Sequence, residues 1–185
     1  HAAQSLGFRT AVLDPDAGSP AGAAAHHHIR APYLDRPGLS AMAAQCDALT
    51  TEFENVPADA LAFLATRRPV SPSAAAVSVC QHRAREKAHF LCASVTCVPH
   101  AVIEREADLA SVDPVLVPGI LKTSTLGYDG KGQAAVESFE DLPAAWRSLR
   151  GVPCVLEQRV ELRQELSVII ARGATGQVVH LPVQQ

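Results

Sequence analysis

Apolar residues gather in short runs along this chain, and the stretches between them have helical length, which predicts an α/β protein. Residues 1–8 read as the last turns of a helix closed by Gly7. A strand is predicted at 9–13, ending at Asp14-Pro15, followed by a loop of small residues over 17–25. The pattern continues with a helix at 37–45 that starts near Asp35 or Arg36, a strand at 46–51, and a helix from Pro57 through 65, since proline suits the first helical position. A short strand at 69–71 and a helix opening at Pro72 complete this part. Strands alternating with helices of about ten residues imply a parallel sheet, as in a Rossmann-like domain.

Beyond about residue 80 the pattern changes. A long helix at 81–93 carries Arg83, Arg85 and Lys87, followed by a strand at 98–103 and a short helix at 104–111. The apolar run at 115–122 reads as a strand, with 133–136 as its hairpin partner. A helix at 139–149, a strand at 152–158, and a hairpin of 165–172 with 177–183 about residues 173–176 follow. Antiparallel runs with helices on one face predict an α+β unit. The boundary falls near residues 72–80, giving domains at 1–76 and 77–185, and no internal repeat is present.

The chain has 185 residues, 48% hydrophobic and 19% charged, which is enough for one or two cores. A net charge of −3 gives no general electrostatic case for nucleic acid or an anionic membrane as partner. No apolar run reaches the roughly 18 residues of a membrane span. The first residues lack the layout of a signal peptide, and a start inside a helix without Met suggests that the true start is missing. Cysteines 46, 80, 92, 97 and 154 are odd in number and contain no Cys-x-x-Cys pair, which predicts a reduced, cytoplasmic protein with buried thiols. The run His26-His27-His28 alternates faces on an extended segment, so its rings converge poorly on one ion, and it reads as a strand entry or surface.

The candidate chemistry centres on Leu126-Gly127-Tyr128-Asp129-Gly130-Lys131-Gly132-Gln133, which follows a strand ending in Lys122. Glycines let the backbone approach a phosphate and present its N–H groups, and a lysine supplies charge. The spacing matches neither a P-loop nor G-x-G-x-x-G. On these residues alone the segment is either a phosphate cradle or a hairpin turn, because Asp-Gly between apolar runs is also a hairpin signal. Further on, the strand that ends in Glu157-Gln158-Arg159-Val160 can offer backbone groups to a purine edge. Glu165 can accept hydrogen bonds from ribose hydroxyls, while isolated acids of this kind are more often solvated strand ends.

Lys122, the glycine loop, Glu157-Gln158 and Glu165 occur in the order and spacing of an ATP-grasp site. Together with Thr51-Glu52-Phe53-Glu54-Asn55-Val56-Pro57, Arg83-Ala84-Arg85-Glu86-Lys87, Leu121-Lys122-Thr123 and Glu165-Leu166-Ser167-Val168, they make the chain resemble the 5-(carboxyamino)imidazole ribonucleotide synthase family of ATP-grasp ligases along essentially its whole length. The resemblance implies a pre-ATP-grasp domain followed by an ATP-grasp domain, and a reaction of purine (IMP) biosynthesis. In that reaction ATP phosphorylates bicarbonate, and the carboxyphosphate formed carboxylates the amine of 5-aminoimidazole ribonucleotide. It places Arg83 and Lys122 by the phosphates and nucleotide, with Gly127, Asp129, Gly130, Gly132 and Gln133 in the closing loop. Glu157, Gln158 and Val160 mark the adenine edge, and Glu165 the ribose. Glu54, Tyr128 and Lys131 match positions near the imidazole substrate and bicarbonate, with Tyr128 and Lys131 as catalytic groups. The implied cofactors are ATP and Mg2+, and the family's usual homodimer is implied as well.

Departures from the family pattern are His82, where an acid is expected, and Thr125-Leu126 in place of a more basic or glycine-rich pair. The family's first strand and glycine-rich substrate loop would precede His1. The metal-binding acids would follow Gln185, so the expected metal residues within the chain are none, and the fragment alone is expected to be inactive. The competing expectations are another ATP-grasp carboxylase or ligase and a non-catalytic nucleotide-binding module.

Overall fold

The computed structural model describes residues 1–127 and 131–185. The first part is a small α/β layer. Helix α1 (Ala2–Ser5) ends with the Phe8 N–H donating to the Ala3 carbonyl and the Gly7 N–H to Gln4, the paired bonds of a glycine-terminated helix. Strand β1 (Ala11–Leu13) pairs in parallel with β2 (His27–Ile29), and α2 (Pro20–Ala24) connects them. The segment expected as a loop at 17–25 thus contains a helix. Ser19 caps it by accepting from the Gly22 N–H at 3.2 Å, and Pro20 occupies the first turn, where its missing N–H costs nothing. The three histidines have separate partners: His26 with Thr10, His27 with Arg9, and His28 with the Asp14 carbonyl.

Helix α3 (Arg36–Gln45) starts on its Asp35 cap, and α4 (Ala58–Ala65) follows Pro57. Their inner faces bury Leu39, Ala43, Ala60 and Leu64 around Leu49. The strands expected at 46–51 and 69–71 shrink to one parallel bridge, Leu49 to Val70. Leu49 uses both backbone groups, donating to Pro69 and accepting from Ser71. Pro69 and Pro72 have no N–H with which to lengthen the ladder. Helices α5 (Ala74–Cys80) and α6 (Arg83–Cys92) follow, separated by Gln81 and His82 where one helix was expected from residue 81.

The second part is a four-stranded antiparallel sheet in the order β3-β6-β4-β5, formed by β3 (His100–Ile103), β4 (Gly119–Thr123), β5 (Gln133–Val136) and β6 (Cys154–Gln158). One face carries Ile103, Leu121, Val136, Cys154 and Leu156, all fully buried under α7 (Leu142–Ser148), which contributes Leu142 and Trp146. The apolar run expected as one strand over 115–122 is divided. Pro114–Leu116 is a 3-10 turn capped by Asp113, and prolines 114 and 118 cannot donate to a ladder, so pairing begins at Gly119. Glu106–Ser111 is likewise a 3-10 turn. The final hairpin forms with shorter strands than expected, β7 (Ile170–Arg172) and β8 (Val178–His180), plus a bridge from Ser167 to Gln184. Every residue of these two strands is exposed.

Among the cysteines only Cys154 is buried, and burial pushes its thiol up to about 11. Cys80 and Cys92 are exposed, so the expectation of buried thiols holds for one position and fails at these two. Among the described residues no helix is long and apolar enough to cross a membrane.

Gly119 is a point of close approach in the sheet. A Cβ there would lie 2.6 Å from the Leu116 carbonyl and 2.9 Å from the Glu157 carbonyl, both backbone atoms. Gly119→Ala must therefore push β4 away from β6. We expect it to destabilise the protein by about 1–3 kcal/mol, the usual cost of overpacking. Denaturant unfolding should show a lower midpoint at unchanged slope, and an unchanged midpoint would mean that the strands give way freely.

Candidate functional site

Strand register decides which polar side chains meet. Directly opposed residues share a face of a sheet, as do residues two apart along a strand. Lys122 opposes Gln133 on β5 and Val155 on β6, so Glu157 lies on the same face as Lys122 and Gln133. His100 on β3 directly opposes Glu157. This face lies opposite the one that packs under α7.

On it, the Glu157 carboxylate holds two ammonium groups. The Lys122 Nζ is 2.6 Å from one oxygen, and the Lys87 Nζ, arriving from α6, is 3.0 Å from the other. The three side chains are only 19%, 12% and 11% exposed for Lys122, Glu157 and Lys87. Burial alone would raise the Glu157 pKa, but the hydrogen bonds and charges of the two lysines outweigh it and hold the carboxyl below its ordinary value. The cluster carries two formal positive charges against one negative, leaving an excess positive charge on a face that is poor in water. An anion such as a phosphate fits that imbalance.

The glycine loop departs from the end of β4. The Thr123 N–H donates to the Gly132 carbonyl at 2.9 Å, closing the described ends of the loop against each other. Gly132 has φ +70, and a Cβ on it would meet the Thr123 Oγ1 at 2.6 Å, so glycine is required there by conformation and by space. Leu126 also sits in the left-handed region, at φ +58, and is exposed. A leucine is strained in that conformation, which gives a physical meaning to the absence of a glycine-rich pair at 125–126. Tyr128, Asp129 and Gly130, three of the expected site residues, lie outside the described residues.

Arg83 opens α6 beside this loop. Its N–H donates to the Ser124 carbonyl at 2.8 Å and its Nε to the Thr123 carbonyl at 3.4 Å. Its guanidinium comes within 3.6 Å of where a Cβ on Gly127 would stand. A cleft of about 320 Å³ runs from here to the first part of the chain, and Glu54, Arg83, Thr123 and Gly127 all line it. The Gln81 amide fixes the far wall, donating at 2.6 Å to both the Glu54 and Val56 carbonyls. His82 caps α6 without a side-chain hydrogen bond, and its Nδ1 is buried with no partner among the described residues. An acid at this position would satisfy the helix N-terminus.

The expected residues therefore fall into groups. Lys122, Gln133 and Glu157 share the sheet face, whereas Glu54, Arg83 and Gly127 share the cleft. Gln158 projects to the opposite face, where its amide donates to the Val115 carbonyl at 2.9 Å. Its backbone N–H is taken by the Pro99 carbonyl and that of Arg159 by Pro118. Val160, just past β6, and Glu165, in the irregular stretch before β7, are exposed, as is Lys131. Sequence reasoning gave no individual role to Lys87 or Gln81. The signal for Lys87 was its place one turn after Arg83 on the same helix face, while Gln81 carried none. Among the described residues no group of three His, Cys, Asp or Glu side chains is placed to hold a metal ion, so no Mg2+ ligand is assigned to them and no step below runs through the metal.

Comparison with known proteins supplies the family. A profile described as the ribonucleotide synthetase preATP-grasp domain matches residues 1–81, and one described as the ATP-grasp domain matches residues 89–185. The N5-carboxyaminoimidazole ribonucleotide synthase of Pseudomonas aeruginosa is 37% identical over 179 residues, covering 96% of this chain and 49% of that protein. The crystal structure of N5-carboxyaminoimidazole synthetase from Staphylococcus aureus complexed with ADP superposes with a TM-score of 0.91 at 31% identity, over 98% of this chain and 49% of the other. The Aspergillus clavatus synthase, solved with ADP and 5-aminoimidazole ribonucleotide, gives a TM-score of 0.82 at 28% identity over 98% and 48%. The chain spans about half the length of the curated relatives it matches. The ATP-grasp match alone extends over just more than half of the chain, and the chain belongs to the ATP-grasp family, with a preATP-grasp domain of the ribonucleotide synthetase type ahead of the grasp.

Proposed function

We propose that this chain is the nucleotide-holding half of a cytoplasmic ligase of purine biosynthesis. That ligase carboxylates 5-aminoimidazole ribonucleotide with bicarbonate at the expense of ATP, through carboxyphosphate. The observation that carries the reading is the positively charged Lys87–Glu157–Lys122 cluster beside a glycine loop whose ends are closed by Thr123. Support comes from relatives of the same name and from the Aspergillus clavatus structure that holds ADP together with 5-aminoimidazole ribonucleotide.

Each residue type suits its proposed part. Phosphoryl transfer is mainly positioning and charge neutralisation, which Lys122, Arg83 and loop N–H groups provide. Gly127, Asp129, Gly130 and Gly132 belong to the loop that closes over the reacting phosphate, with Gln133 at the start of β5 where the loop ends, because carboxyphosphate must be kept from water. Backbone groups from Glu157 to Val160 receive the adenine edge. There Gln158 acts through its backbone carbonyl, since its side chain and N–H are engaged elsewhere. Glu165 accepts from the ribose. Glu54 approaches the imidazole substrate from the cleft wall that Gln81 holds, and Tyr128 and Lys131 act on that substrate and bicarbonate. A boundary after residue 76 puts Arg83, Lys87 and Lys122 in one domain and Glu54 in the other, so the cleft is where the two substrates meet. Mg2+ and a homodimer belong to the same proposal.

The test is isotope transfer in the full-length protein. With ATP, 5-aminoimidazole ribonucleotide and 18O-labelled bicarbonate, label should appear in the released phosphate, and ADP formation should depend on the imidazole substrate. Turnover with a different amine acceptor instead would make the protein another ATP-grasp ligase, and nucleotide binding without turnover would make it a binding module. Two substitutions test the residue assignments. Lys122→Ala should weaken ADP binding by about 1.5–3 kcal/mol, the scale of a charge-assisted hydrogen bond, and unchanged affinity in calorimetry would remove Lys122 from the site. Glu165→Gln should raise the KM for ATP more than that for the imidazole substrate; an equal rise in both would make Glu165 structural.

A further inference from the structure

We infer that Lys87 is a positioning residue: it is the standing counter-ion of Glu157, and its presence lets Lys122 leave that carboxylate to take a nucleotide phosphate. The inference rests on the nucleotide-site reading above and adds to it a residue that contacts no substrate.

The first observation is an inversion of the usual burial pattern on α6. The helix leaves Phe90 39% and Leu91 54% exposed, and its one buried residue is Lys87, at 9%. Lysine is among the residues least often buried, and taking an ammonium out of water is costly unless it is paired. A position that served only to pack α6 on the sheet would be filled better by an apolar side chain. The Lys87 Nζ instead ends 3.0 Å from a Glu157 oxygen.

The second observation is the sharing of that carboxylate. Its other oxygen binds Lys122 at 2.6 Å, so the lysine proposed to hold a phosphate already has a partner. For Lys122 to turn to an anion, Glu157 has to stay behind at 12% side-chain exposure. A carboxylate left unpaired at such a site is strongly unfavourable. Lys87 approaches the opposite oxygen from a different element, so it can remain when Lys122 goes. The exchange then converts a cluster of net positive charge into a neutral Lys87–Glu157 pair beside a phosphate-bound Lys122, and no proton has to move. Among the described residues, the titratable group directly opposite Glu157 in the sheet is His100 on β3, whose Nδ1 is 2.9 Å from the Val98 carbonyl.

Removing Lys87 should make nucleotide binding proton-dependent. In Lys87→Met, Glu157 keeps only Lys122. If ADP draws Lys122 away, the carboxylate must either hold it back or take up a proton. We expect the full-length variant to bind ADP at least about tenfold more weakly than wild type near neutral pH. The gap should widen from about pH 6 to about pH 8 by up to about tenfold per pH unit, the slope of one proton taken up on binding. Lys87→Arg should narrow the gap. In the double variant Lys87→Met with Glu157→Gln, the pH-dependent part should vanish, because no carboxylate remains to be protonated.

A Lys87→Met protein that binds ADP as wild type does, or whose deficit is flat with pH, overturns the inference and leaves Lys87 a fold contact. A pH-dependent gap that survives in the double variant also overturns it and points to His100. If Lys87→Met does not fold, Glu157→Gln is compared with the double variant. Equal ADP affinity supports the counter-ion role, and a further tenfold or so loss in the double variant overturns it by showing that Lys87 acts directly on the nucleotide. Wild-type protein that binds no ADP would instead sink the nucleotide-site reading itself.

Discussion

A carboxylate taken out of water needs cations within reach, and Glu157 has one on each oxygen. The rest of the site follows from meeting that requirement at the centre of a sheet. Lys122 comes from the neighbouring strand and Lys87 from the helix laid across that face. The two lysines outweigh burial and keep Glu157 ionised. Ion pairs in such places contribute little net stability compared with an apolar replacement of the same shape. Stability alone therefore gives no reason for this arrangement. A cation held ready for a phosphate does give one, because the carboxylate it would leave keeps a second lysine.

The backbone around the cluster is tight for the same reason. Gly119 lets β4 pass close to β6, in the register that places Lys122 and Glu157 on one face. The Thr123 N–H donates to the Gly132 carbonyl where the loop returns, and Arg83 ties the start of α6 to the carbonyls of Thr123 and Ser124. Charge on the helix, charge on the strand and the ends of the glycine loop are thus held by one short segment, Gly119–Thr123, and the residue after it. On the other side of the cleft, Gln81 holds the Glu54 turn by two carbonyls. The two parts of the chain therefore face each other across a cleft that Arg83 and Glu54 both line.

Much of this was legible in the sequence, for identifiable reasons. The β4–β5 hairpin, α7 and β6 were predicted within a few residues because their apolar periodicity is plain and the core they build is apolar. Lys122 and Glu157 were singled out because charged residues at the ends of apolar strands are conspicuous. What failed was local. Prolines 69, 72, 114 and 118 cut strands that periodicity alone would have extended, and Ser19-Pro20 started a helix in a stretch that looked like loop. The exposure of Cys80 and Cys92 depends on which helix faces are covered, and composition carries no such information. The opposite projections of Glu157 and Gln158 follow from strand alternation, but which of the two faces the site depends on β4 and β6 being neighbours. Lys87 was given no role because its helix position hinted only at a shared face with Arg83, and its partner lies seventy positions away in sequence.

The central claim is that Lys122 exchanges Glu157 for a nucleotide phosphate while Lys87 stays on the carboxylate. A crystal structure of the full-length protein with ADP tests it most directly. The account predicts the Lys122 Nζ on a phosphate oxygen and withdrawn from Glu157, with Lys87 still hydrogen-bonded to the carboxylate. ADP bound away from this face, or bound with Lys122 still paired to Glu157 at about its present 2.6 Å, would contradict it.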